Sequence, residues 1–115
     1  MERTAATLKA LSDPTRLRIV SLLRHGAMCV CDLVEALRTP QSKISRHLAF
    51  LKNAGWVVAE RSGKWMHYSL AEDESSLHKR VLEVLKTELP LNNVCADDDQ
   101  RYFLYRDSKP SQSCD

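Results

Sequence analysis

Hydrophobic and polar positions recur at two periods along the chain, and the change of period marks out the elements. A first short helix is predicted from about Thr4 to Leu11. In "SDPTRLRIVSLLRHG", Leu17, Val20 and Leu23 keep one face apolar, helped by Ile19 and Leu22. Ser12 or Asp13 can cap that helix, Pro14 suits its first position, and Gly26 can close it in the left-handed conformation. The run "CVCDLVEALR" predicts a short helix from Val30 to Leu37, burying Leu33, Val34 and Leu37. In "TPQSKISRHLAFLKNAG", Ile44, Leu48 and Leu51 stand at i, i+4 and i+7, one apolar stripe. Thr39 is the expected cap there, with Pro40 at the first position and Gly55 at the end. The period then shortens. "WVVAERSGKWMHYSL" is rich in β-branched and aromatic residues around a glycine turn, which predicts a β-hairpin tipped by Arg61 and Lys64. "SSLHKRVLEVLKTEL" returns to helical spacing through Leu77, Val81, Val84, Leu85 and Leu89. Beyond Pro90 the pattern is polar and irregular except for "YFLY" (102–105). The division is therefore a folded domain over 1–90 and a polar tail over 91–115. The tail is either flexible or docked through "YFLY" on the core or on a partner subunit.

Two short helices joined tightly and followed by a basic hairpin predict a winged helix-turn-helix, a mainly α fold with a β-hairpin wing (α+β). A helix that reads DNA needs one greasy face for the core and an opposite face of small, hydrogen-bonding residues that lets the backbone approach base edges. Ser42, Ser45 and Ala49 meet that need, while Gln41, Lys43, Arg46 and His47 can donate to phosphates or bases. His47 by itself is of a type that more often packs or caps. Arg61 and Lys64 would meet a flanking backbone or minor groove.

Charge sharpens this picture only through its distribution, since the net value is +2. Between Arg38 and Lys64 six cations face one acid, Glu60, whereas acids cluster in "AEDE" (71–74) and "ADDD" (96–99). A solvated surface would show such a segment too, but beside the helix pair it reads as phosphate-facing. No apolar run approaches the roughly 20 residues needed to cross a bilayer. "MERTAATLKA" lacks the apolar core of a secretory leader, so a cytoplasmic protein with no membrane partner is expected. Thiols are kept reduced there.

That setting bears on "AMCVCDLV", which places Cys29 and Cys31 one residue apart beside Asp32. A lone buried cysteine usually behaves as a small hydrophobe. A structural disulfide is the weaker reading, because near-adjacent cysteines rarely reach its geometry. Thiolates are soft ligands that select soft ions. Within a regular helix, residues i and i+2 point about 200° apart. One ion could then bridge the pair only if the first turn frays, so binding would distort the reading helices.

The segments "LSDPTRLRIVSLL", "CVCDLVEAL", "QSKISRHLAFLKNAGWV" and "RSGKWMHYSL" resemble, in order and spacing, the ArsR/SmtB family of metal-sensing repressors over about residues 5–90. "CVCDL", "SKISRHL" and "GKWMHY" are similar to its arsenical-responsive branch. The resemblance implies a homodimer formed through the first and last helices. It also implies repression at double-stranded operator DNA without a required cofactor, and release by As(III) or Sb(III) as inducer. The family's zinc-type site is disfavoured, because the last helix offers only His78. Its cadmium/lead site also lacks the cysteines of an N-terminal arm, since none precedes Cys29. The arsenical type remains, with Cys29 and Cys31 as ligands. Some members carry a third cysteine where this chain has Val34. A third thiolate is then either absent or drawn from Cys95 or Cys114, Cys95 being nearer the folded body.

An enzyme is the competing class. No phosphate-cradling loop surrounds the pair, no C-x-x-C or βαβ pattern appears, and Val30 offers no acid–base partner, so thiol-reductase chemistry is not expected. The alternative within the regulator class is a repressor whose thiols sense oxidation or another thiophilic metal.

Overall fold

The computed structural model describes residues 1–72 and 75–108. Helices α1 (Glu2–Lys9) and α2 (Pro14–Leu23) lead into a two-residue strand, β1 (Met28–Cys29). Helices α3 (Val30–Leu37) and α4 (Gln41–Asn53) follow, then strands β2 (Val57–Ser62) and β3 (Trp65–Leu70). Helix α5 (Ser76–Glu88), a single 3-10 turn (Leu89–Leu91) and α6 (Asn93–Ser108) complete the chain as described. The three strands form an antiparallel sheet in the order β1-β3-β2.

Local chemistry sets the boundaries. Asp13 caps α2 by accepting from the Arg16 N–H at 3.1 Å, and Ser75 caps α5 by accepting from His78 N–H. Thr39 does not cap α4 as expected. Its hydroxyl donates to the Leu37 carbonyl at 3.0 Å, and α4 starts at Gln41 after Pro40. The turn between α3 and α4 passes through Arg38, a non-glycine residue at φ 50°, which satisfies the end of α3 at a conformational cost of about 1 kcal/mol. In the hairpin, Ser62 pairs with Trp65, leaving Gly63 and Lys64 as a two-residue loop. Gly63 carries φ 65°, the positive angle that the first position of a tight hairpin turn requires.

The core forms where α2, α3, α4 and the sheet meet. Ile44, Leu48 and Leu51, the predicted stripe of α4, are fully buried with Ile19, Leu22, Leu33 and Trp56. Trp56 also holds α1, donating from its indole N–H to the Thr7 carbonyl at 2.8 Å, and it stacks on His78 at 4.3 Å. His78 is thus part of the core.

The segment after Pro90 departs from its predicted irregularity. It forms α6, which packs on α2 and α3. Its inward face carries Cys95, Asp98 and Tyr102, and Asp98 is 1% exposed. Asp98 accepts two bonds of 2.8 Å from Arg18 and one of 2.6 Å from Arg101. Those arginines reach on to the last carbonyls of α3: Arg101 donates to Ala36 O at 2.8 Å and Arg18 to Leu37 O at 3.4 Å. One residue along, Asp99 receives Arg24 and His25 from the end of α2. Of "YFLY", Tyr102 is buried and Phe103 packs on the core, so docking on this subunit is the alternative seen. Cys114 lies outside the described residues.

Removing one partner of a buried ion pair leaves the others desolvated and unpaired, so Asp98→Ala should lose about 3 kcal/mol in urea denaturation. Burial alone would raise the Asp99 carboxyl, but the Arg24 and His25 hydrogen bonds outweigh it and hold its pKa below the ordinary 3.8. A depressed carboxylate stabilises the fold above its unfolded value and loses that contribution as pH falls through its folded one. Thermal melts below about pH 4 should therefore fall less steeply for Asp99→Asn than for the unsubstituted chain.

Candidate thiolate site and nucleic-acid interface

The Cys pair sits where β1 turns into α3. Cys29 is the last strand residue and the residue that caps the helix, with extended backbone (φ −85°, ψ 168°). Cys31 is already inside the first turn. Because Cys29 is outside the helix, the 200° divergence does not apply, and the two sulfurs lie 2.8 Å apart. This corrects the expectation that one ion could bridge them only by fraying α3. Asp32 completes the junction: its carboxylate accepts the Cys29 N–H at 3.0 Å, the reciprocal half of a capping box. Ligand atoms of Cys29, Cys31 and Asp32 all lie within 4.8 Å of one another. The amino end of α3 favours negative charge at this spot. Two soft sulfurs and a carboxylate suit a thiophilic ion better than a hard one.

The sulfurs open onto a cleft of about 280 Å³. Its other walls come from Val30, Val34 and Glu35 of α3, Gln41 at the start of α4, and Trp65 and Met66 of β3. Sequence reasoning did not find these neighbours, because the contact between β1 and β3 depends on register: Cys29 pairs with His67 and Met28 with Tyr68. A two-residue strand leaves no periodic signal.

Cys95 is elsewhere. It is 4% exposed and borders a separate cleft with Leu17, Arg18 and Leu89. Burial pushes its thiol pKa up, against a hydrogen bond with Ser21, so the protonated form is favoured. Within one chain it does not join the Cys29–Cys31 cluster.

The expected DNA face divides in two. Gln41, Ser42, Lys43, Ser45, Arg46 and Ala49 are exposed along α4, and Arg61 and Lys64 are exposed at the hairpin. His47 is different. Its Nδ1 accepts from Arg16 at 3.3 Å and stands 3.9 Å from Asp13, so it braces α4 against α2. Desolvation, helped by neighbouring cations, lowers its pKa. The Lys64 ammonium rests over the Trp65 ring at 5.6 Å, which joins the wing tip to a wall of the thiolate cleft.

The chain is similar to known transcriptional regulators. The family model "Bacterial regulatory protein, arsR family" matches residues 13–58, the helices of the reading unit. An uncharacterized HTH-type transcriptional regulator of Methanocaldococcus jannaschii is 44% identical over 86 residues, spanning 74% of this chain and 90% of that protein. The arsenic resistance transcriptional regulator ArsR2 of Pseudomonas putida is 38% identical over 103 residues, spanning 89% and 87%. Among solved structures, the homodimeric winged helix-turn-helix DNA-binding domain of a possible ArsR-family regulator from Mycobacterium bovis superposes with a TM-score of 0.66. It is 26% identical and covers 80% of this chain and 82% of that one. None of the described helices is long and apolar enough to cross a membrane. By these likenesses, together with the exposed polar face of α4 and the basic wing, the chain belongs to the ArsR/SmtB family of DNA-binding winged-helix transcriptional regulators and is not an enzyme.

Proposed function

We propose that the chain represses transcription as a homodimer on operator DNA and releases it when a trivalent arsenical or antimonial bridges Cys29 and Cys31. The observation that carries this reading is the convergence of the two sulfurs at the β1–α3 junction. Each thiol bonds to the trivalent centre, and its proton leaves with a displaced hydroxide as water. No oxidant is needed, so the reaction suits a reducing cytoplasm.

The same junction suggests how binding reaches DNA. Cys29 is tied to β3 through its pairing with His67, and β3 leads directly to Lys64. An ion that repositions Cys29 relative to Cys31 shifts the wing against α3 and α4. DNA favours one setting of that junction and the ion another. The coupling is then negative and of equal size in both directions.

Dimerisation accounts for surface that the single chain leaves bare. Helix α1 buries no residue and α5 buries only His78 and Leu82, while Leu8, Leu77 and Val84 stay exposed. Pairing α1 and α5 of two copies would cover these side chains. It would also present two α4 helices to half-sites about one DNA turn apart.

Binding to a duplex selected from random DNA tests the reading face. Arg46→Ala should weaken affinity and lower the salt slope by about one, whereas His47→Gln should leave that slope unchanged. Arg61→Ala and Lys64→Ala should each cost on the order of 1 kcal/mol on specific and non-specific duplexes alike. The switch is tested by fluorescence anisotropy of the same duplex during titration with arsenite or antimonite. Cys29→Ser and Cys31→Ser should bind DNA normally and fail to release it, because a protonated hydroxyl cannot replace a soft thiolate. Cys95→Ser should release normally. Release by peroxide but not by either metalloid would move the pair to oxidation sensing.

A further inference from the structure

Arg16 stands in the first turn of α2, half-buried, and its side chain ties three helices together. Asp13 fixes its backbone by accepting the Arg16 N–H at 3.1 Å. Its Nη1 donates to the carbonyl of Ala10, the residue that ends α1, at 3.1 Å. Its Nε donates to His47 Nδ1 at 3.3 Å, and its guanidinium carbon lies 4.0 Å from the centre of the Phe50 ring. His47 and Phe50 are three residues apart on α4 and so share one face of it. That face lies between two others. Ile44, Leu48 and Leu51 are fully buried on one side, while Ser42, Arg46 and Ala49 are exposed on the other.

Resting on α4 as the reading helix, we infer that Arg16 is a positioning residue for sequence recognition: it sets the rotation of α4 against α1 and α2 and touches no DNA itself. The core stripe of α4 is aliphatic, and hydrophobic contact has no direction, so it resists separation better than rolling. The contacts of Arg16 are directional, a planar fork on one acceptor of each neighbouring helix and a cation over a ring face. An α-helix with its side chains is about 10–12 Å across, so a roll of about 10° carries its outermost atoms about 1 Å. Hydrogen bonds to base edges do not survive an error of that size, whereas long, flexible cationic side chains still reach phosphates. Nε, Nη1 and one face of the guanidinium are already engaged within the chain. Arg16 therefore governs discrimination between sequences rather than affinity for the DNA backbone.

Fluorescence anisotropy of the full chain on the selected duplex and on a scrambled duplex of equal length, each over a range of salt, tests this. Arg16→Lys keeps the charge and loses the planar fork. Its Kd on the selected duplex should rise about fivefold or more, its Kd on the scrambled duplex less than about twofold, and its salt slope should not change. Arg16→Met should behave in the same way. Phe50→Leu removes the exposed ring beneath the guanidinium. It should lower discrimination about threefold and add little on top of Arg16→Lys, as coupled residues do. Thermal melting shows whether the Arg16 variants fold. If they do not, Phe50→Leu alone decides, and unchanged discrimination there overturns the inference. Unchanged discrimination in a folded Arg16→Lys overturns it as well. So does a salt slope lowered by about one in Arg16→Met, which would make Arg16 a phosphate contact. Weakened binding by Arg46→Ala beside unchanged Arg16→Lys would sink this inference alone, whereas normal binding by Arg46→Ala would sink the assignment of α4 as the reading helix.

Discussion

The bond from the Cys29 N–H to the Asp32 carboxylate fixes the point on which the rest of the site depends. It holds Cys29 extended while α3 begins at the next residue, so one backbone position belongs to the sheet and caps the helix. Had α3 begun one residue earlier, Cys29 and Cys31 would stand on nearly opposite sides of a helix. As built, their sulfurs converge, and they do so against β3. A short polar contact therefore converts a sequence spacing into a pair of converging sulfurs beside the strand that leads to the wing.

The opposite end of α3 is held just as firmly. Arg101 and Arg18 take its final carbonyls, and the buried Asp98 orients both guanidiniums. Burying Asp98 carries a desolvation penalty that its two half-buried arginines offset. What the arrangement supplies is position: α3 cannot slide along its axis without breaking bonds to α2 and α6. With its carboxyl end anchored, the switch proposed here would pass a perturbation at its amino end sideways into β1 and β3.

Much of this fold was legible in the sequence, for identifiable reasons. Ile44, Leu48 and Leu51 form a stripe with no polar interruption, and Pro14 and Gly26 bracket α2. The hairpin announced itself through "RSGK" between β-branched and aromatic runs. Helix α6 was missed because its buried face runs through Cys95, Asp98 and Tyr102, with an acid where an apolar residue is expected. A reading by hydrophobic period cannot see a helix whose central inward residue is charged. The i, i+3 pair of Asp98 and Arg101 was the one local hint. The Cys pair was read as a candidate ligand set, but its geometry was misjudged because the strand that places Cys29 is two residues long. His47 was grouped with the residues able to donate to DNA, and its ring takes the packing role also expected of it, turning back to Arg16.

The central claim is that an ion at Cys29 and Cys31 acts through the sheet while the helices stay folded. Amide hydrogen exchange on the DNA-free protein, with and without bound arsenite, tests it most directly. Exchange should change at Met28 and Cys29 and along Trp65–Tyr68, while the amides of α3 from Val34 to Leu37 and of α4 from Ile44 to Leu51 keep their protection. Loss of protection along α3, with β1 and β3 unchanged, would show that binding melts the helix and that the wing is not the route.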